Sequence, residues 1–248
     1  RNWLPGFLRR NPEVLFRKAS NLDPKRAQAF CQPIVHVHYL LLQEWMVLKG
    51  IPLENVYNMD EKGCQRGGGK KAALRKYLIP RGKKSQYRRS SENLELVTII
   101  ECVCADGSSI WPGFIFAGRK YNEDWFDGDV PPEVTISTTE NGWTNDLVGL
   151  AWFRENFIPQ ATQRNTSGKP ILLICDGHGS HTTLDFIELA IQNNIILYCL
   201  PPHTTHKLQP LDVGVFGPFQ TEWVKACDAS VETYNTEMPR GDFVHEYL

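Results

Sequence analysis

No stretch of eighteen consecutive apolar residues occurs in this 248-residue chain, and no charged leader precedes a short apolar run with a small-residue cleavage site. The first absence argues against a membrane-spanning helix, the second against secretion. The C-x-x-C spacing of a zinc knuckle is missing too, although there are seven cysteines, an odd number. Cys102 and Cys104 are two apart on an apparent strand and share a face. Cys175 and Cys199 fall inside apolar runs and read as small core residues. This is the pattern of reduced thiols in an intracellular chain rather than of a disulfide scaffold. Acidic residues are absent between Arg66 and Arg89, where ten Lys and Arg are gathered. Seventeen basic and twenty-eight acidic residues remain elsewhere, so a net charge of −1 conceals an acidic body with one basic segment. Such a segment reads as a solvated loop or as a local polyanion contact, not as a wholly basic binding module.

The length suits one large domain, or one domain with a small appendage. Residues 1–50 read as helical. Asp23 is placed as an N-cap and Pro24 at the first helical position; Gly50 closes the segment, and Pro33 should kink or split it. His36 and His38, two apart, lie on different helix faces and read as ordinary side chains. Val56, Tyr57 and Met59 suggest a short strand leading into Asp60. "NLELVTIIECVCADGSSIWPGFIFAG" reads as two strands joined by a turn at Ala105-Asp106-Gly107-Ser108. "NGWTNDLVGLAWFRENFIPQAT" has helical spacing with Thr144 or Asn145 as its cap. "ILLIC" and "NIILYC" read as buried strands on either side of a helix from about 182 to 192. Phe216, Phe219, Trp223 and Val224 mark a last helix, ending near Asp228. The order predicts an α/β fold, a mixed five-stranded sheet in which three antiparallel strands precede βαβ units, with helices on its faces. Residues 1–50, 51–228 and 229–248 are expected as a helical amino-terminal part, the α/β domain and the start of a carboxyl-terminal extension.

Three aspartates occupy matching places in this plan. Asp60 is expected to end the first strand, Asp176 ends the "ILLIC" strand, and Asp212 opens the segment after the last strand. Any one of them alone reads as a turn or a helix cap. If the first strand and "ILLIC" are neighbours, all three carboxylates can converge. Clustered carboxylates repel one another unless a cation neutralises them, and oxygen donors select Mg²⁺ or Mn²⁺.

"NMDEKG", "DGHGSH" and "LPPHTTHKLQPLDVGVFGPF" resemble the catalytic motifs of DDE/D transposases, specifically the pogo and Tigger branch of the mariner superfamily, relatives of jerky and centromere protein B. The resemblance takes in "CADGSSIWPGFIFAG" and "GWTNDLVGLAWFRENFIP" and extends over roughly residues 50–226. "FLRRNPEVLFRKASNLDPKRA" resembles the tail of that family's helix-turn-helix DNA-binding region. With no methionine at Arg1, the chain is expected to be a fragment of something longer. The resemblance implies an RNase H-like core in which Asp60, Asp176 and Asp212 are both the catalytic triad and the ligands of two Mg²⁺ or Mn²⁺ ions. It places His178, His206 and Glu61 just behind those ligands, with Gly177 and Gly179 keeping the backbone clear. It implies hydrolysis of a phosphodiester at a transposon end, followed by attack of the freed 3′-hydroxyl on target DNA. The implied partner is double-stranded DNA (terminal repeats and target) in the nucleus, with a homodimer the common working form and no membrane. Lys70, Lys71, Arg75, Lys76, Arg81, Lys83, Lys84, Arg88 and Arg89 are the candidate contacts to the DNA backbone.

Rival readings are weaker. His178-x-x-His181 and His203-x-x-His206 have the spacing of a four-imidazole zinc site. "GCQRGGGKK" fails as a phosphate-binding loop because Gly69 stands where lysine is required. Ser180-His181 lacks the nucleophile elbow of a hydrolase. The alternative of a different class is a domesticated, catalytically silent transposase that only binds DNA or chromatin.

Overall fold

The computed structural model describes residues 3–16, 23–67, 95–120, 130–177 and 179–248. Helix α1 (Trp3–Arg10) is followed by α2 (Pro24–Ala29) and α3 (Gln32–Lys49). The Asp23 carboxylate accepts the backbone N–H groups of Lys25 and Arg26 and starts α2. The helical segment splits at Phe30–Cys31, so Pro33 falls in the first turn of α3, where its missing N–H costs nothing. Gly50 ends α3 in the left-handed region, φ 59°.

Six strands follow: β1 (Val56–Gln65), β2 (Leu96–Cys104), β3 (Gly113–Ala117), β4 (Thr135–Thr139), β5 (Ile171–Cys175) and β6 (Ile195–Cys199), in the spatial order β4-β3-β2-β1-β5-β6. β1, β2 and β3 pair antiparallel; β4 on β3, β5 on β1 and β6 on β5 are parallel. The mixed sheet with flanking helices is as expected, but it has a sixth strand. β4, "TISTT", pairs on one side only and is half-buried along most of its length, so it lacks the apolar run that marks a central strand.

One face of the sheet is covered by α4 (Asp146–Trp152), the wide π-turn Phe153–Phe157, α5 (Ile158–Arg164) and α6 (Leu184–Gln192). Here Phe153 stacks on Phe186 with centroids 4.0 Å apart and on Phe157 at 5.5 Å. Pro159 cannot donate to the helix ladder, and the wide turn just before it absorbs the break. The opposite face carries two apolar patches. One lies under α8 (Phe216–Tyr234) and α9 (Arg240–Tyr247), with Trp223, Phe243 and Val244 against Val97, Phe114 and Phe116. The other packs α3 and α7 (Thr205–Leu208) on Val56, Leu172 and Ile174. The last long helix thus runs six residues past Asp228, and Met238, Phe243 and Val244 belong to the core. Cys199 departs from its expected place: Cys175 is buried, whereas Cys199, at the end of the edge strand β6, is exposed.

Candidate active site

β1 and β5 are parallel neighbours with Val56, Tyr57 and Asn58 opposite Leu172, Leu173 and Ile174. Continuing that register sets Asp60 level with Asp176, the first residue beyond β5. Asp60 does not end its strand. β1 runs on to Gln65 because β2 goes on pairing with it, Asp60 opposite Glu101 and Gln65 opposite Leu96. What ends near Asp60 is the neighbour on the other side, and this opens space beside its carboxylate.

Asp212 lies on a second π-turn, Leu211–Val215, leading into α8. Two buried amides hold that turn against the sheet. Asn58 Nδ2 donates to Gln209 Oε1 at 2.6 Å and to the Ile174 carbonyl at 3.0 Å. Gln209 Nε2 donates to the Met59 carbonyl at 2.9 Å, and the Leu211 N–H donates to Asn58 Oδ1 at 3.2 Å. β1, β5 and the approach to Asp212 are therefore joined through one pair of side chains, in a dry setting where unpaired amides are costly.

The Asp60 carboxyl is buried and feels both of the other acids. Burial pushes the Asp60 carboxyl up from 3.8 to about 7, and the Asp212 and Asp176 carboxylates push in the same direction. The Glu61 N–H, at 2.8 Å from Asp60 Oδ1, and a hydrogen bond from Gln209 oppose the rise without cancelling it. Among the described residues no three His, Cys, Asp or Glu side chains stand close enough about one point to hold a metal ion. The donor chemistry nonetheless suits a hard divalent cation. Carboxylate oxygens are its preferred ligands, and an acid raised by burial and by neighbouring acids is one that a cation would discharge.

The strand's alternation sends Glu61 to the face opposite Asp60. There Thr144 Oγ1 donates to Glu61 Oε2 at 2.6 Å. Buried His181 stands with Nε2 3.6 Å from Glu61 Oε1 and 3.7 Å from Asp176 Oδ1. His206, in α7, packs edge-on against Phe30 at 6.1 Å, and neither of its buried ring nitrogens has a hydrogen-bond partner among the described residues. His203 adopts φ 64° and is exposed, so the described members of the two H-x-x-H pairs do not converge. His178, and Lys70 through Arg89 of the basic segment, lie outside the described residues. Arg66, the first member of that segment, is buried: its guanidinium pairs with Glu95 at 2.6 Å and donates to the Met238 carbonyl at 2.9 Å.

Asn58 and Gln209 are residues that the sequence reading did not single out, while Thr144 was read only as a cap candidate and His181 only as half of an H-x-x-H pair or beside Ser180. Asn58 had a visible signal, a polar amide in a strand whose neighbours Val56, Tyr57 and Met59 are all apolar. One further feature borders the site. Cys175 and Cys199 are register partners on β5 and β6, and a hydrogen bond from the Cys175 thiol brings Cys199 down to about 7.

Over 185 residues the chain is 36% identical to "MFS-type transporter clz9" of Cochliobolus lunatus, covering 72% of this chain and 19% of that protein. No described helix is long and apolar enough to cross a membrane. The fold resembles that of the Mos1 transposase paired-end complex with left transposon end, with a TM-score of 0.56 and 14% identity. It likewise resembles the Mos1 mariner paired end complex with Mn, with a TM-score of 0.59 and 12% identity. Each likeness covers 98% of this chain and 66% of the other, so the chain spans just under two thirds of those structures' length. Residues 93–237 match the family described as DDE superfamily endonuclease; the match includes Asp176 and Asp212 and begins after Asp60. It takes in more than half of the sequence, and the chain belongs to the DDE superfamily of endonucleases.

Proposed function

We propose that this chain is the catalytic region of a DDE/D transposase of the pogo-like branch, cutting phosphodiesters at transposon ends and joining the freed ends to target DNA. The observation that supports this reading is the parallel pairing of β1 and β5, which sets Asp60 level with Asp176, together with the electrostatic influence of both Asp212 and Asp176 on the buried Asp60 carboxyl. These three residues would hold Mg²⁺ or Mn²⁺, in keeping with the Mn in the Mos1 paired end complex. When bound, such cations supply charge neutralisation and Lewis acidity at a phosphate.

The chain's own residues do the rest. The Asn58–Gln209 pair fixes the Asp212 turn to β1, so the third carboxylate is placed before substrate arrives. Asp60, raised to about 7, holds its proton on the acid side of neutrality and would release it to a bound cation. No side chain has to act as nucleophile, because water and then a DNA 3′-hydroxyl attack in turn. The basic residues from Lys70 to Arg89 neutralise backbone phosphates and confer salt-dependent, sequence-blind affinity. Double-stranded DNA in the nucleus is the substrate, terminal repeats first and target second.

The test is nicking of DNA bearing the terminal repeats by the full-length protein, with Mg²⁺ or Mn²⁺ and with chelator. Metal-dependent nicking abolished by Asp176→Ala is expected; nicking that survives that substitution would discard the triad. Binding without cutting under every condition would favour a silent DNA-binding protein. Charge reversal at Lys70, Lys71, Lys83 and Lys84 should weaken binding and flatten its salt dependence.

A further inference from the structure

Lys62 is two residues beyond Asp60 on β1, and the alternation of the strand puts both side chains on one face. It is the face covered by α8 and α9, where Cys64, next in the same row, belongs to the apolar patch of Trp223. The other Lys and Arg around this patch are committed to acids. Arg66 and Arg240 share Glu95, and Lys225 pairs with Glu222 at 2.6 Å. The Lys62 ammonium, by contrast, makes no hydrogen bond or ion pair with a described residue.

Its place is set by a ring. Lys62 Nζ lies 5.4 Å from the centroid of Phe216, which is buried and opens α8 directly after the turn that carries Asp212. The ring face attracts the ammonium through its quadrupole but has no net charge of its own. The half-buried lysine is thus held between the strand of Asp60 and the turn of Asp212 with its full positive charge unspent.

The surrounding acids give that charge a use. Asp176 and Asp212 already act on Asp60, and a DNA strand brought to them carries a further negative charge at every phosphate. Cations on the three carboxylates would offset the repulsion at the phosphate being cut, but less at its neighbours along the strand. Two residues of β-strand advance about 7 Å, so Lys62 is placed for a neighbouring phosphate rather than for the reacting one.

We propose that Lys62 is a substrate-binding residue: its ammonium, held over the Phe216 ring on the Asp60 face of β1, grips a DNA backbone phosphate next to the phosphodiester that is cut. The statement rests on the function proposed above. It adds a phosphate contact built on the sheet itself, apart from the Lys70–Arg89 segment. A lysine that only covered Phe216 would contribute to stability and nothing to the salt dependence of binding.

The test compares Lys62→Met, which keeps an apolar stem on Phe216 and loses the charge, with Lys62→Arg, which keeps the charge. Full-length protein is titrated with labelled duplex bearing the terminal repeats, in chelator so that nothing is cut, and binding is read by fluorescence anisotropy. The slope of log affinity against log salt should be shallower by about 0.9 in Lys62→Met, so that between about 50 and about 200 mM salt it loses about threefold less affinity than wild type. Lys62→Arg should keep the wild-type slope. A Lys62→Met slope equal to that of wild type would overturn the proposal and leave the proposed function standing. A Lys62→Arg slope as shallow as that of Lys62→Met would overturn it too, because the charge would then not be what matters. Wild type that binds no DNA at any salt would sink the proposed function, and the role of Lys62 with it.

Discussion

Asn58 Nδ2 lies 2.6 Å from Gln209 Oε1, with both amides buried. The two residues are 151 positions apart, and their pairing links the strand that carries Asp60 to the turn that carries Asp212. Asn58→Leu leaves the buried Gln209 Oε1 without its donor, and Gln209→Leu takes from Asn58 Nδ2 one of its two acceptors. Each single substitution should cost about 1–3 kcal/mol, and the double substitution less than the sum of the two. Urea unfolding of the four proteins in the cycle measures the coupling. Additive costs would mean that the two amides do not act as a pair.

The Asp60 carboxyl sets a pH dependence with a definite sign. Its folded value of about 7 lies above the ordinary 3.8, so between those limits the folded chain holds a proton that the unfolded chain has lost. The stability that this proton confers is complete below about pH 4 and is lost as pH rises towards 7. Metal-free protein should therefore melt at progressively lower temperature over that window. Asp60→Asn should flatten the trend, and Mn²⁺ should do the same by replacing the proton. A wild-type melting temperature that climbs from pH 4 to 7, with Asp60→Asn unchanged, would contradict the assignment.

Much of this site was legible because strand ends and acids leave strong marks. "ILLIC" followed by Asp176 needed only its apolar run and the turn after it. β1 was read as short because Asp60, Glu61 and Lys62 look like the beginning of a loop. They remain in a strand because β2 pairs with them, and pairing over that distance leaves no local trace. β4 was invisible for the opposite reason, five small or half-buried residues with no apolar contrast. His181 was seen only as half of an H-x-x-H pair. Its real neighbours, Glu61 and Phe186, come from elements that only the folded sheet brings together.

Cys199 should be the most reactive thiol on the described surface. It is exposed and brought down to about 7, while Cys64, Cys102, Cys104, Cys175 and Cys227 are buried. Iodoacetamide at pH 7 should label Cys199 ahead of those five, as read by peptide mass spectrometry. Cys175→Ala removes the hydrogen bond that lowers Cys199 and should slow its labelling. Equal rates in the two proteins would show that the pair does not govern reactivity.

Arg66 belongs by sequence to the basic run and by structure to the frame. Its pairing with Glu95, which also receives Arg240 Nε at 2.6 Å, closes the outer end of the β1–β2 pair. Arg66→Ala should cost about 1–3 kcal/mol, since Glu95 keeps Arg240 while the buried Met238 carbonyl loses its donor. The salt dependence of DNA binding should not change. A lower urea midpoint with an unchanged slope is the expected signature.

The backbone N–H of Arg66 donates to the Glu95 carbonyl at 3.2 Å, so the polypeptide departs from the sheet and returns to it at a single doorway. The two strands are thereby locked to each other at their far end, so the register that sets Asp60 opposite Glu101 is pinned from the last rung of the ladder as well as from within it.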